Sequence, residues 1–314
     1  MKIIFDPAVE EALAKLGQDF PSLNWNFSPE PDSGSSQLVS HWLGEADEEV
    51  MVNVFKGHHL SEQFHRQEFF FIHFACYGSY HALSAKYNNR ITLKEGDCYI
   101  GQPYNGYAAK VESVDECVIV GVLIRKETFI REFLSSLSAD TAMLNFFLEP
   151  HKNRFAEEFV HMTIPAESPI WKLLGLMVME YAHKTEYTQQ VLKPLTMALS
   201  MYLSAEYKRQ NLPDSSTLID KILSYIESYS DTATLASTAR HFGYHHVYLS
   251  RLLPQKTGKT FSELLLNVRM RKAKLLLKNT DLSIEKITTM LGYSNSSNFY
   301  KAFKDFYGHT PRNI

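Results

Sequence analysis

Cysteine is scarce: Cys76, Cys98 and Cys117 are the only three in 314 residues. They are odd in number, dispersed and free of any CxxC pair, which argues against a disulfide scaffold or a structural zinc site and favours a reducing cytoplasm as the setting. Long apolar runs are missing as well. No stretch approaches the roughly 20 residues that span a bilayer, and the start, MKIIFDPAVEEALAKLG, is acidic where a signal peptide would be basic and then apolar. A soluble intracellular chain, without membrane attachment, is the expectation. What remains is ordinary globular composition, 45% hydrophobic and 21% charged, in a length sufficient for two cores.

The net charge of −3 conceals an asymmetry. Residues 218–314 carry 14 Lys/Arg against 7 Asp/Glu, leaving 18 against 28 for the rest of the chain. A basic C-terminal part on an acidic body is the footprint of a polyanion-binding module, although a chance imbalance on a solvated helical surface would look the same. An internal repeat decides between them. Leu235, Ala239, Phe242, Gly243 and Tyr244, followed by Leu249, Leu253, Gly258 and Thr260, return as Ile284, Thr288, Leu291, Gly292 and Tyr293, followed by Phe299, Phe303, Gly308 and Thr310. Each copy has the spacing of a helix, a tight turn and a second helix, so two helix-turn-helix units are expected.

Local signals agree with the repeat. Leu218–Ser230 reads as an amphipathic leading helix. Thr234 and Ser283 stand where N-caps belong, and Thr260-Phe261-Ser262-Glu263 has the spacing of a capping box that opens a connecting helix to about Lys278. Gly243 and Gly292 supply the turns, and Leu249, Leu253, Phe299 and Phe303 the buried side of the second helices. His245, His246, Val247, Ser250 and Arg251 in one copy, and Asn295–Asn298, Tyr300, Lys301 and Lys304 in the other, are then left to meet base edges and phosphates.

Upstream the texture changes twice. Residues 1–50 read as a leading arm, with a short amphipathic segment from Ala8 to Leu16 and the loop-like SPEPDSGSSQ. Residues 51–125 consist of short apolar and aromatic runs such as EVMVNVF, EFFFIHFACY and CVIVGVLI between turn signals, which suggests an antiparallel barrel or sandwich. Residues 126–210 return to helical spacing, with candidates at Thr128–Leu137, Thr141–Leu148, Ile170–Tyr187 and Val191–Gln210. The apolar stripes of the last two serve either their own domain or pairing with a second copy of the chain. NLPDSST, residues 211–217, reads as a linker.

Residues 218–314 resemble the DNA-binding domain of AraC-type (AraC/XylS) transcription regulators. The resemblance lies in LASTARHFGYHHVYLSRLLPQKTGKTFSELLLNVRMRKAKLLL and SIEKITTMLGYSNSSNFYKAFKDFYGHTP, with Arg269, Ala273, Leu276 and Leu277 on linker-helix positions and Gly308 and Pro311 in the closing turn. It implies seven helices, two recognition helices on one face of double-stranded DNA, and recruitment of RNA polymerase, with activation the expected sign of control. By position it assigns base contacts to Val247, Ser250, Arg251, Ser296, Ser297, Asn298, Tyr300 and Lys301. Pro254, late in the first recognition helix, departs from the pattern and is expected to end or kink that helix.

The β-rich part resembles the cupin-like ligand-binding domains that precede this DNA-binding domain, through FHRQEFFFIHFACYG and LKEGDCYIGQPYNGY. The resemblance implies an α+β chain: a cupin-like antiparallel β-barrel plus helices, then an all-α domain with two helix-turn-helix motifs. Gln67 stands where a second metal ligand would be wanted and Tyr107 replaces the later histidine, so a metal-dependent cupin enzyme lacks its ligand set and no cofactor is expected. A small-molecule sensor is preferred, with a sugar among the expected effectors. His65, Arg66, Glu68, His73 and Tyr107 are its candidate polar contacts, and Phe69, Phe71 and Tyr77 its candidate walls. Each of them also fits an ordinary core or surface position. A domain that only forms a homodimer, or answers to a protein, is the alternative.

Overall fold

The computed structural model describes residues 3–23, 25–29, 38–84, 89–134, 159–211 and 217–314. The helix expected at Thr141–Leu148, the end of that expected at Thr128–Leu137, most of SPEPDSGSSQ and residues 212–216 of the linker lie outside these. The chain divides into two compact units, the first formed by Met1–Phe133 with Lys152–Tyr207 and the second, among the described residues, chiefly by Lys208–Ile314. The first is α+β and the second all-α.

The first unit is built on one long strand. Strands β1 (Phe27–Pro29), β2 (Leu38–Ser40), β3 (Val50–Ser61), β4 (His65–Gln67), β5 (Phe70–Tyr77), β6 (Ser79–Ser84), β7 (Asn89–Lys94), β8 (Asp97–Gly101), β9 (Gly106–Ile124) and β10 (Phe159–Thr163) form one sheet. The second half of β9 runs between β3 and β5, and its first half pairs with β4, β6 and the end of β3. Pairing is antiparallel except between β2 and β4. The sheet therefore draws β1 and β2 from the expected arm and β10 from the expected helical region, so residues 51–125 alone do not make it.

Helices pack on β3 and supply aromatic side chains against β5. Helix α1 (Pro7–Asp19) packs on β3 and on α2 (Pro169–Ala182), and Trp171 of α2 meets Phe74 at 5.9 Å edge to face. Asp6 caps α1 by accepting from the Ala8 and Val9 amides. Residues Lys126–Phe133 make one short helical turn followed by a π-type turn, and the Phe129 ring lies 4.2 Å from that of Phe70, tilted against it. The helix expected through Tyr187 ends at Ala182, because the Thr185 amide donates to the Thr188 hydroxyl and starts α3 (Thr188–Asn211) instead.

The second unit repeats one device. Helix α4 (Leu218–Ser228) leads, followed by α5 (Leu235–His241) and α6 (His246–Thr257), the long α7 (Phe261–Asn279), then α8 (Ile284–Met290) and α9 (Ser296–Tyr307). These six and a closing 3-10 turn at Pro311–Asn313 stand where seven helices are implied. Thr234 and Ser283 cap α5 and α8, and Thr260 with Glu263 forms the capping box of α7. The turns pass through left-handed Gly243 (φ 72°) and Gly292 (φ 75°). Leu249, Leu253, Phe299 and Phe303 are all fully buried, where removal of a side chain typically costs 2–5 kcal/mol.

Candidate nucleic-acid interface and interior cavity

With those four side chains buried, the opposite faces of α6 and α9 are left to solvent. Val247, Ser250 and Arg251 are exposed on α6, and Ser297, Asn298 and Lys301 on α9, with Ser296 and Tyr300 half-buried. Two expected contacts have local duties. The Asn295 side chain caps α9 by accepting from the Asn298 amide at 2.9 Å, and His245 caps α6 by accepting from the Val247 amide at 3.4 Å. The Ser250 hydroxyl donates to the Val247 carbonyl at 2.8 Å. Pro254 does not end α6, which continues to Thr257 and closes on left-handed Gly258, whose amide donates to the Pro254 carbonyl. An exposed stacked pair, Tyr244 and Tyr248 with centroids 5.0 Å apart, lies at the start of α6; the sequence reading passed over its second member.

Each exposed face offers hydroxyl, amide and cationic groups. Serine and asparagine bond base edges or phosphates, and Arg251 and Lys301 add charge. The two helices differ in chemistry: α6 opens on apolar Val247, suited to a thymine methyl, and α9 on serines and asparagine.

In the first unit, residues from β3, β4, β5 and β9 surround a cavity of ≈ 30 Å³ together with Phe20 and Trp25. That volume accommodates about one or two waters. His65, Phe69, His73 and Tyr107 line it, as expected. Four other expected members do not. Buried Arg66 donates to the Tyr104 carbonyl at 2.6 Å. Glu68 accepts from the Trp42 amide at 2.9 Å and pairs with His41. Phe71 is packed beneath, among Tyr99, Tyr107 and His73. Tyr77 faces α1, where its hydroxyl bonds Glu10.

Asn53, Phe55, Leu60 and Glu62 of the β3 segment also line it, along with Gln67. Sequence reasoning missed them, although their even spacing within each pair is the period of one strand face. The His73 ring nitrogen bonds the Tyr107 hydroxyl at 2.9 Å, and burial, with a smaller effect of His65, pushes the imidazole down to about 3. Burial lowers His65 as well, against the hydrogen bond to the Gln63 carbonyl. Burial pushes the Glu62 carboxyl up to about 7, although the Ala109 amide donates to it at 2.8 Å. The cavity thus presents two neutral imidazoles and one carboxyl. Among the described residues no group of three His, Cys, Asp or Glu side chains is placed to share a metal ion.

No helix of the described residues is long and apolar enough to cross a membrane. A helix-turn-helix domain family matches residues 238–314. The transcriptional activator RhaS of Escherichia coli is 30% identical over 121 residues, 38% of this chain and 44% of that protein. The Msm operon regulatory protein of Streptococcus mutans is 29% identical over 114 residues, 35% of this chain and 41% of that one. The chain spans less than half the length of the curated relatives it matches. Among solved structures, apo ToxT of Vibrio cholerae is 18% identical over 86% of this chain and 98% of its own, with a TM-score of 0.40. The duplicated helix-turn-helix, its caps and its matched family place an AraC-type DNA-binding domain at the C-terminal end of this chain.

Proposed function

We propose that the chain is a cytoplasmic transcription regulator that reads double-stranded DNA with α6 and α9 and answers to a small molecule through its first unit. The single observation that carries this reading is the duplicated reading helix: each copy buries two large apolar side chains and turns a polar, cationic face to solvent. Phosphate contacts supply affinity and base contacts supply sequence preference. Val247, Ser250, Arg251, Ser296, Ser297, Asn298, Tyr300 and Lys301 are the proposed contacts. Activation through RNA polymerase follows from the family resemblance. The decisive experiment selects a DNA site and titrates it with Arg251→Ala and Lys301→Ala chains. Loss of affinity in both supports the reading; unchanged affinity in both sinks it.

A second reading of the first unit has its own support. The cavity is small, whereas Leu176, Tyr187, Val191, Met201 and Tyr202 on and between α2 and α3 are large and exposed. A unit that only forms a homodimer would use those residues and need no effector, and a second copy adds DNA contacts by avidity. Sedimentation with and without DNA separates the two: a monomer under both conditions rejects the homodimer.

A further inference from the structure

We propose that the cavity of the first unit receives an organic cation, a primary or quaternary amine, with Glu62 as its counter-ion and Phe20, Trp25 and Phe55 as its aromatic walls. The proposal rests on the effector reading above and names the chemical class of the effector.

The argument begins with charge. Among the described residues that line the cavity, Glu62 is the only one able to carry a negative charge near neutral pH, and no Lys or Arg is among them. The lysines of β3 and β9 are engaged elsewhere, Lys56 with Glu116 at 3.6 Å and Lys110 with Glu112 at 2.9 Å. The other titratable groups facing the cavity are His65 on β4, His73 on β5 and Tyr107 on β9. Burial keeps both imidazoles neutral and the phenol protonated, so none of them balances an ionised Glu62. Glu62 is half-buried, and a carboxylate held largely out of water without a cation is costly, a cost that a ligand cation lowers. A carboxylate or phosphate ligand would meet no positive group and one negative one.

Aromatic geometry points the same way. Phe20 meets Phe55 at 5.6 Å and Trp25 at 5.4 Å, both edge to face, so three rings from two segments surround one space. Trp25 stacks on Phe27, which in turn meets the His65 ring at 5.2 Å. Ring faces attract an ammonium or trimethylammonium group, most strongly where water is excluded. Two of the walls, Phe20 and Trp25, belong to the leading segment rather than to the strands beneath. A ligand larger than water enters by displacing that segment.

The test uses the full chain and three probes of one shape: 2-phenylethylammonium, 2-phenylethanol and 3-phenylpropionate. Each is titrated by calorimetry and followed by thermal shift. The expected result is binding of the ammonium probe, strengthening as pH rises through about 7, and about tenfold weaker in Glu62→Gln. That variant keeps an acceptor for the Ala109 amide, and the pH profile of the unaltered chain supplies a second readout if the variant fails to fold. Ammonium binding that ignores both Glu62→Gln and pH overturns the assignment. Equal or tighter binding of the alcohol or the carboxylate, abolished by a cavity-filling Asn53→Trp, overturns the cation class and leaves the effector cavity standing. If no probe binds either the unaltered chain or Trp25→Ala, whose cavity is opened, the effector cavity falls with it.

Discussion

A Cβ built on Gly292 would stand 1.8 Å from the carbonyl oxygen of Asp231, so the turn of the second helix-turn-helix lies flush against the loop that leads into the first. Gly243, its counterpart in the first copy, has an equally left-handed backbone, yet a Cβ there meets nothing within 4 Å. The pair separates two reasons for glycine. Gly243→Ala should cost only the left-handed penalty, about 1–2 kcal/mol. Gly292→Ala adds a clash with rigid backbone and should cost at least about 2 kcal/mol more, within the range known for overpacking. Chemical denaturation of the two variants checks this; equal costs would mean that the Asp231 contact is not made.

Arg269 and Lys272 of α7 hold the same loop from the other side. Arg269 donates through Nε to the Ser230 carbonyl at 2.7 Å and through Nη2 to the Asp231 carbonyl at 3.1 Å, and its guanidinium lies 5.1 Å from the Tyr293 ring centroid. Lys272 is 2% exposed and donates to the Glu227 carbonyl and the Ser230 hydroxyl, both at 2.8 Å. Cations at the C-terminal end of α4 also complement its dipole. Lys272→Met should destabilise the second unit by about 1–3 kcal/mol, since it strands buried acceptors. Arg269→Lys keeps the charge but loses the two-pronged geometry, and should recover less than half of the stability lost in Arg269→Ala. Thermal unfolding of the three variants is the measurement.

The second unit was legible almost throughout because its devices are local and occur twice. Thr234, Ser283 and Thr260 cap helices with atoms at most three residues away, and Gly243 and Gly292 report backbone angles of their own. Pro254 does not end α6, as one of the two expected outcomes had it, because a proline late in a helix removes only one backbone donor from the ladder. In the first unit the partners are distant. Nothing near Glu62 in the chain announces that Ala109 will bond it, nor that Phe20 will meet Phe55. Tyr77 and Glu68 fall outside the cavity lining for a related reason: strand alternation names two faces without saying which is enclosed.

Glu49 joins β3 to two other segments and should make the first unit sensitive to acid. Burial by itself would raise its carboxyl; Lys193, Arg131 and Thr128 outweigh that effect and lower it to about 2 from an ordinary 4.5. A carboxyl lowered by folding adds stability that is complete above about 4.5 and is lost as pH falls toward 2. The shift corresponds to about 3 kcal/mol at neutral pH, which solvent screening of the exposed Arg131 partner reduces. Glu49→Gln should therefore lower stability at pH 7 and match the unaltered chain near the acid end of that window. Denaturant titrations across the range check it, and a deficit that persists unchanged into acid would assign the loss to packing.

His73 should give a separate acid response, beginning at higher pH and opposite in chemical origin. Burial holds its imidazole neutral down to about 3, whereas an unfolded chain's imidazole gains a proton near 6.5. Below 6.5 the unfolded state binds more protons, so stability falls as pH drops, by up to about 1.4 kcal/mol per pH unit. His65, lowered by burial as well, contributes in the same direction. His73→Gln keeps a partner for the Tyr107 hydroxyl but removes the titration. Its stability should decline less steeply than that of the unaltered chain between about pH 6.5 and pH 5, and His65→Gln in addition should flatten the curve further. The Glu49 response lies mostly below this interval, and Glu62, whose carboxyl is raised to about 7, adds stability as pH falls through it, so a decline that survives both histidine changes would mean that these imidazoles do not carry it.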